Sequence, residues 1–236
     1  MSVYACSDIH GNIALLNKIL EFLKTDDTVY FLGDAADRGK DGWEIIKNIY
    51  NDSRFIYLKG NHEDMLVKAM REFIEEEGQS HSALNLLKYN GGKHTYNAWR
   101  EDGTSRSWIH RLEFLPTVAD YVNKNKTHFI MTHAGFTPYN DRTPEVEDLL
   151  WDRGHIDDRC DWWPIDNLND YVLHGHTYCA SKSCFGMIDT KLNNSNTVGR
   201  YCYGHKICID GRSFLTNKIA MLDLDTLEET VFDLSK

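Results

Sequence analysis

The sequence predicts an α/β fold, and three observations point to it. Short β-rich runs alternate with helical patterns through the first third of the chain, which is typical of βαβ units around a largely parallel, buried sheet. Late runs of strand character are joined by short turns, which favours antiparallel pairing there. The 236 residues, 42% hydrophobic and 26% charged, supply a core of ordinary size. We therefore expect a single α/β domain over residues 1–236.

The first βαβ pattern opens with a strand over Val3 to Ser7. Asn12 is a suitable N-cap for the helix that follows, and apolar residues recur at helical spacing from there to about Leu23. The same alternation then repeats. It predicts strands at 28–32 and 55–58 and helices at 42–50 and 62–77.

The rest of the chain is less periodic. Residues 78–111 are rich in Ser, Asn, Gly and His, and they predict an excursion of short helices that flanks the functional site. Residues 189–199 form a polar loop of low hydrophobicity, and the sequence assigns no role to the surrounding stretch at 187–206. Strand character returns at 128–132, 171–174, 206–209, 218–224 and 229–232.

The formal net charge of −10 would repel a phosphate backbone, so duplex nucleic acid is not an expected partner. The first residues lack the charged and apolar regions of a signal peptide, and no stretch approaches the roughly 20 apolar residues of a membrane span. We expect a cytoplasmic protein that does not engage a membrane. In that compartment the six cysteines favour small buried residues over disulfides. A structural zinc on the four at 179–208 is the weaker alternative, because they contain no CxxC pair.

Polar side chains, most of them of metal-binding type, follow each of five predicted strands. They are Asp8 and His10; Asp34, Asp37 and Arg38; Asn61, His62 and Glu63; His133; and His174 with His176. An Asp, Asn or Gly after one strand is ordinarily a turn former, and a lone His is ordinarily structural. Unrelated turns have no reason to repeat this pattern five times, and the carboxyl ends of strands in an α/β sheet meet at one crevice. We therefore expect one site built from these clusters.

The candidate ligands are carboxylates, an amide and imidazoles without a thiolate, a set that suits Mn, Fe or Zn. Two metals held about 3.5 to 4 Å apart need one bridging carboxylate and separate ligands on each side. Asp34 is the natural bridge. Asp8 and His10 lie two residues apart and can face one metal. The opposite side of the crevice supplies Asn61, His133 and His176.

Five ordered motifs carry a resemblance to a known family. They are DIHGN (8–12), GDAADRG (33–39), GNHED (60–64), THAG (132–135) and HGHT (174–177). Together they resemble the phosphoprotein phosphatase branch of the calcineurin-like metallophosphoesterases, in particular the small phage-lambda-type and bacterial serine/threonine phosphatases. The resemblance implies a central β-sandwich flanked by helices, with a dimetal site at the strand ends. ICIDGR (207–212) resembles the late strand that closes this fold.

The resemblance also implies roles for individual residues. Asp8, His10 and Asp34 would hold the first metal, and Asp34, Asn61, His133 and His176 the second. His62 would protonate the leaving oxygen while Asp37 positions its imidazole. Arg38 would hold a phosphate oxygen with Asn61 and His62, and Arg153 of LLWDR (149–153) is similar to the family's second phosphate-binding arginine. The implied cofactors are two divalent ions, with manganese favoured and iron or zinc as alternatives.

Other chemistry is less well supported by the sequence. No cysteine is followed six residues later by an arginine, which disfavours a covalent phosphocysteine mechanism. His174 faces the same side of its strand as His176, and we favour a supporting or structural role for it. Tyr178 stands where many phage-type relatives have Pro.

The predicted activity is hydrolysis of phosphate monoesters, with phosphoserine or phosphothreonine in proteins as the favoured substrate. The alternatives are a symmetrical dinucleoside tetraphosphatase and a catalytically inactive binding module. Aromatic and cationic residues in 78–111, including Tyr96, Trp99 and Trp108, are expected either to line the substrate groove or to pack as the core of a helical cap. The sequence does not give the oligomeric state.

Overall fold

A computed structural model of the chain describes residues 1–75, 81–135, 145–153, 170–179, 197–201 and 204–235. Ten strands in this part of the chain form two five-stranded sheets. The strands are β1 (Val3–Cys6), β2 (Thr28–Phe31), β3 (Phe55–Tyr57), β4 (Val118–Val122), β5 (His128–Thr132), β6 (Asp170–His174), β7 (Gly199–Tyr201), β8 (Lys206–Cys208), β9 (Lys218–Asp223) and β10 (Glu229–Asp233).

The described helices are α1 (Ile13–Phe22), α2 (Gly42–Asn51), α3 (Asn61–Glu75), α4 (Ser82–Tyr89), α5 (Lys93–Glu101), α6 (Arg106–Glu113), α7 (Val146–Trp151) and α8 (Ser213–Thr216). Asn12 is the N-cap of α1, and its side-chain oxygen accepts a hydrogen bond from the Leu15 backbone N–H at 3.4 Å. This confirms the predicted start of the first helix.

Both sheets are mixed. The first sheet has the order β10-β9-β1-β2-β3. Strands β1, β2 and β3 are parallel to one another, β9 is antiparallel to β1, and β10 is antiparallel to β9. The second sheet has the order β4-β5-β6-β8-β7, in which β5, β6 and β8 are parallel while β4 and β7 are antiparallel edge strands. Each sheet therefore contributes three parallel strands whose carboxyl ends can carry functional residues.

Alternation along the strands of the first sheet divides its side chains between two cores. Val3 and Ala5 of β1 face the second sheet, whereas Tyr4 and Cys6 face the helices. The core between the sheets includes Tyr30, Leu32, Leu58, Phe129, Met131, Leu173, Ile207, Ala220 and Leu222. Full burial of each large apolar side chain contributes about 1.5–3 kcal/mol. The predicted β-sandwich flanked by helices is confirmed.

The helical layer packs on the other face of the first sheet. It buries apolar residues of α1, α2 and α3 together with aromatic residues of α5 and α6. Residues 81–113 form three short helices there, which is the excursion that the sequence predicts, and residues 78–80 lie outside the described part. Within the described residues, no helix is long and apolar enough to cross a membrane.

One expectation about strands needs correction. The late strands were expected to pair antiparallel with one another, and β9 and β10 do so. However, β8 lies in the other sheet and runs parallel to β6, with Leu173 opposite Ile207. The three strands of the first third are parallel, as expected, and β9 returns to pair antiparallel with β1. Most of the predicted polar loop at 189–199 lies outside the described residues, and β7 begins at Gly199.

Candidate metal centre

The six parallel strands end at a common edge of the sandwich, and functional side chains follow each end. In the first sheet they come after β1, β2 and β3, and in the second after β5, β6 and β8. The residues concerned are Asp8, His10, Asp34, Asp37, Arg38, Asn61, His62, His133, His176 and Asp210. All of these except Arg38 are buried. The topology thus brings together the clusters that the sequence singled out.

The loops after these strands share an unusual backbone conformation. Asp8, His10, Asp34, Asp37, Arg38 and His176 all have φ between 47° and 69°. Non-glycine residues adopt this left-handed region infrequently, and each instance costs on the order of 1 kcal/mol or more. Such strain persists only where the surrounding structure fixes it, and it concentrates at functional sites.

Asp34 lies at the centre of the cluster with its two carboxylate oxygens directed to different histidines. Its Oδ2 is 3.6 Å from His10 Nε2 and 3.8 Å from His62 Nε2. Its Oδ1 is 3.4 Å from His133 Nε2. Although burial favours the neutral acid, the histidines around it, led by His133 and His62, hold the pKa of Asp34 well below its ordinary value. One carboxylate therefore belongs to two groups of donors.

The first group of donors consists of His10, Asp34 and His62, whose ligand atoms all lie within 4.8 Å of one another. His10 Nδ1 donates to the carbonyl oxygen of Ala36 at 3.0 Å, which leaves Nε2 to face the cluster. Asp8 lies beside it, with Oδ1 3.7 Å from His10 Nε2. The carboxylate of Asp8 also accepts hydrogen bonds from the His176 backbone N–H.

The second group consists of Asp34, His133 and His176, again with ligand atoms within 4.8 Å of one another. Asn61 Oδ1 lies between the two histidines, 2.9 Å from His133 Nε2 and 3.0 Å from His176 Nδ1. His133 Nδ1 donates to the carbonyl oxygen of Leu32 at 2.7 Å, which orients the ring from behind. Asn61 thus joins the second group.

The donors fit a pair of divalent cations. Among the described residues the buried Nε2 atom of His10 has no hydrogen-bond partner, and an unsatisfied buried polar atom is costly unless a ligand takes it. His10 and His176 are alike in being buried. Burial lowers the pKa of both histidines and so favours the neutral imidazole that binds metals. Burial, together with the nearby carboxylates of Asp210 and Asp34, raises the pKa of Asp8. The pKa rises because several carboxylates are buried close together, and a divalent ion bound among them would neutralise their negative charge.

His62 and Asp37 form a hydrogen-bonded pair beside the first group. His62 Nδ1 lies 2.7 Å from Asp37 Oδ2, and His62 Nε2 lies 3.3 Å from Arg38 Nη2. Burial alone would lower the pKa of His62, but the Asp34 carboxylate and the hydrogen bond to Asp37 raise it above its ordinary value. The Asp37 backbone N–H donates to Thr95 Oγ1 at 3.0 Å, so α5 helps to hold this loop.

Arg153 and Asp210 lie next to the two donor groups. Arg153 donates from Nη1 to Thr177 Oγ1 at 2.9 Å, next to His176. Asp210 is buried after β8, and burial raises its pKa to about 6 although Arg38 and Arg153 act in the opposite direction. Sequence reasoning did not place Asp210 in the site. It follows a parallel strand as the other clusters do, and applying the same rule to ICIDGR would have found it.

Glu63 has a structural role that sequence reasoning did not assign. Its Oε2 accepts hydrogen bonds from the backbone N–H groups of Asp34 and Gly60, both at 2.8 Å. Its Oε1 accepts from Ala35 at 2.9 Å and Ala36 at 3.2 Å. Glu63 is the third residue of α3, so the bond to Gly60 completes half of a capping box. The three-residue spacing between Gly60 and Glu63 could have predicted the capping bond from the sequence. The bonds from the loop after β2 could not be predicted in this way, because they join residues far apart in the chain.

Glu63→Gln is expected to lower the free energy of unfolding of the metal-free protein by about 2–4 kcal/mol, because the side-chain amide would point at two N–H donors. Urea denaturation after chelation measures this difference. Glu44→Gln, at an exposed position of α2, is the matched control and should change it by less than about 0.5 kcal/mol. Equal stability of the two variants would contradict the role given to Glu63.

Three aromatic residues of the helical excursion are core residues, whereas Tyr89 is exposed. Tyr96, Trp99 and Trp108 are buried and pack in the helical layer. Trp99, for example, lies 6.0 Å from Phe73 between ring centroids. This corrects their alternative assignment as a wall of the substrate groove. The excursion contacts the loop after β2 instead, since the Arg38 N–H donates to the Gly91 carbonyl oxygen at 3.1 Å and the Asp37 N–H donates to the Thr95 hydroxyl.

His174 faces away from the two donor groups. Its Nε2 lies 2.6 Å from the Tyr201 hydroxyl, and its Nδ1 lies 3.0 Å from the Gly175 carbonyl oxygen. Burial lowers the pKa of His174 to about 3, so the ring is neutral. Of the six cysteines, Cys6, Cys179 and Cys208 are described, and all three are buried free thiols. The other members of the zinc alternative, Cys184 and Cys202, lie outside the described residues.

A two-sheet sandwich with this cluster of carboxylates and imidazoles at one edge defines a metal-dependent phosphoesterase. A sequence model described as calcineurin-like phosphoesterase matches residues 1–206, and the chain belongs to this family. The family resemblance drawn from the motifs is confirmed, as is the prediction of an enzyme. Divalent metal ions are its cofactors.

Relatives and solved structures extend the comparison. Serine/threonine-protein phosphatase 2 of Escherichia coli is 24% identical over 212 residues, which cover 84% of this chain and 91% of the relative. A symmetrical bis(5'-nucleosyl)-tetraphosphatase of Nitrosospira multiformis is 26% identical over 147 residues, which cover 58% of this chain and only 45% of the relative. The crystal structure of a candidate diadenosine tetraphosphatase superposes with a TM-score of 0.62 at 17% identity, over 98% of this chain and 92% of its own. At that identity the likeness shows the fold alone.

Proposed function

We propose that this protein is a dimetal-dependent phosphomonoesterase that acts on phosphoserine and phosphothreonine in proteins. The observation that carries the proposal is the position of Asp34, whose two carboxylate oxygens face two separate groups of donors. In this assignment Asp8, His10 and Asp34 hold one ion, and Asp34, Asn61, His133 and His176 hold the other. Manganese is the favoured metal, because oxygen and imidazole donors without a thiolate suit it.

When bound, the two ions supply a nucleophile at neutral pH and neutralise charge on the phosphoryl oxygens. The protein groups around them position the substrate. The planar guanidinium group of Arg38 lies beside His62 and offers two parallel donors to a phosphate. Arg153, next to His176 through Thr177, offers a second such group from the second sheet. Within the described residues neither guanidinium forms an ion pair with a carboxylate.

His62 is the proposed general acid for the leaving oxygen. Its Nδ1 is held by Asp37, which fixes the ring so that Nε2 faces the cluster and the guanidinium of Arg38. A neighbouring carboxylate that stabilises the imidazolium keeps a proton on His62 near neutral pH. An alkoxide such as that of serine leaves slowly unless it is protonated, so this group matters most for phosphoserine.

Two observations support a peptide rather than a dinucleotide as substrate. The E. coli protein phosphatase aligns over 91% of its own length, whereas the tetraphosphatase aligns over 45%. In addition, Tyr96, Trp99 and Trp108 of the helical excursion are buried and do not offer a face to a nucleobase. Cytoplasmic localisation and a single domain remain predictions.

The test is a comparison of kcat/KM for a phosphoserine peptide and for diadenosine tetraphosphate, with manganese restored to chelated enzyme. We expect the peptide to be preferred. A preference for the dinucleotide by more than about a hundredfold, near 2.7 kcal/mol in transition-state binding, would overturn the protein phosphatase assignment. Hydrolysis of neither substrate, with turnover of a small aryl phosphate intact, would also contradict it.

A further inference from the structure

A third arginine lies on the rim of the site, and neither the metal centre nor the proposed mechanism uses it. Arg212 follows β8, two residues after Asp210, and its backbone N–H donates to Asp210 Oδ1 at 2.7 Å. The residue has φ of 56°, in the left-handed region that arginine seldom adopts. The loop therefore holds Arg212 in a costly conformation next to the cluster of buried carboxylates.

The guanidinium group of Arg212 rests on aromatic rings. Its Cζ atom lies 4.3 Å from the ring centroid of Tyr178 and 5.8 Å from that of Phe214. The Cζ atom of Arg38 lies 4.4 Å from the same Phe214 ring. Phe214 also contacts the ring of the proposed ligand His10, at 5.6 Å between centroids. Arg212 and Arg38 thus belong to one wall, joined by an aromatic ring and next to the metal centre.

Among the described residues, none neutralises the Arg212 guanidinium. Its Nε atom is buried without a hydrogen-bond partner, and in the described part of the chain no carboxylate pairs with its guanidinium. Two other arginines behave differently, since Arg54 pairs with Asp52 and Arg71 with Glu113. A half-buried guanidinium held on aromatic rings and left without an acceptor is suited to an anionic ligand.

The other two arginines are already placed next to the centre, where the reacting phosphate would lie. Arg38 contacts His62, and Arg153 contacts Thr177 beside His176. The guanidinium of Arg212 lies over Tyr178 instead. Arg212 is therefore placed to bind a different anionic group of the same substrate. Because guanidinium groups lie over the rings of Tyr178 and Phe214, this wall is cationic and suits a carboxylate better than a nucleobase.

We propose that Arg212, seated on Tyr178, binds an acidic side chain adjacent to the phosphorylated residue of a peptide substrate and so makes the enzyme prefer acidic phosphorylation sites. This inference rests on the proposed protein phosphatase function. It assigns a specificity-determining residue outside the metal centre, and it names the chemistry that the residue recognises.

The experiment uses two phosphoserine peptides of equal length, one flanked by aspartate on both sides and the other by asparagine. For the manganese enzyme we expect kcat/KM to be about tenfold higher for the acidic peptide, mostly through a lower KM. Arg212→Gln should reduce this ratio to about one. Arg212→Gly should do the same, and glycine accepts the left-handed backbone, so the result would not depend on a strained or misfolded variant.

Arg106→Gln is the matched control, because it removes the same charge from an exposed position at the start of α6. It should leave the ratio at the wild-type value. A ratio that Arg212→Gln and Arg212→Gly do not change would overturn the Arg212 proposal while the enzyme remained a protein phosphatase. If the two variants slow hydrolysis of diadenosine tetraphosphate more than hydrolysis of the acidic peptide, the anion that Arg212 binds is a polyphosphate and the peptide proposal is wrong. If the wild-type enzyme hydrolyses neither peptide, the proposed function itself fails.

Discussion

Asp34→Asn is expected to remove tight binding of both metal ions and to lower turnover of an aryl phosphate by at least about a thousandfold. The substitution replaces one carboxylate oxygen by an amide NH2 group and removes the negative charge. In the structure the two oxygens face His10 and His62 on one side and His133 on the other. Loss of one residue should therefore weaken two sites at once, which loss of a ligand to a single ion would not do.

Metal content per chain after removal of free manganese measures this directly, together with the rate of aryl phosphate hydrolysis. Asp120→Asn is the matched control, because Asp120 is exposed on β4 and contacts His128, which belongs to neither donor group. It should retain two ions and full turnover. An Asp34→Asn enzyme that also retained two tightly bound ions and near-normal turnover would refute the bridging assignment.

His62→Asn is expected to separate substrates by their leaving groups. Hydrolysis of a phosphoserine peptide or an alkyl phosphate should fall by about a thousandfold, because serine leaves as an alkoxide that needs a proton. Hydrolysis of an aryl phosphate with an acidic phenol should fall by only about tenfold. The hydrogen bond from the His62 backbone N–H to Asp34 Oδ1, at 3.1 Å, does not depend on the side chain and should persist.

The variant must also be analysed for metal, because the imidazole of His62 lies within one of the two donor groups. Retention of both ions with unequal losses on alkyl and aryl substrates supports the role of general acid. Loss of one ion would instead make His62 a ligand, and equal losses with both ions present would exclude it as the acid. His110→Asn, on the exposed face of α6, serves as the control and should behave as wild type.

The pattern of apolar and polar residues along the chain predicted the elements that depend on local sequence. The strand at His128 to Thr132 has the predicted bounds, and the polar residues after β1, β2 and β3 converge as the rule for parallel strands requires. Strand β4 was not predicted. It is an edge strand in which Val118 and Val122 are exposed while Ala119 and Tyr121 are partly buried. Its apolar residues therefore do not mark one inward face.

Other features depend on contacts between distant parts of the chain. The parallel pairing of β8 with β6 is non-local, and the short turns near the end of the sequence gave no sign of it. The contact between Arg212 and the Tyr178 ring is also non-local, because the two residues follow different strands. Asp210 differs, because its position directly after a strand was visible in the sequence and the rule was not applied to it.

The proposed ligands come from both sheets. Asp8, His10, Asp34 and Asn61 follow strands of the first sheet, whereas His133 and His176 follow strands of the second. Two bound ions would therefore cross-link the layers of the sandwich at one edge. Ligands that bind only the folded state add about 4 kcal/mol of stability at a thousandfold excess over Kd. The supply of divalent metal in the cell would then govern how long the folded chain survives proteolysis, whether or not substrate is present.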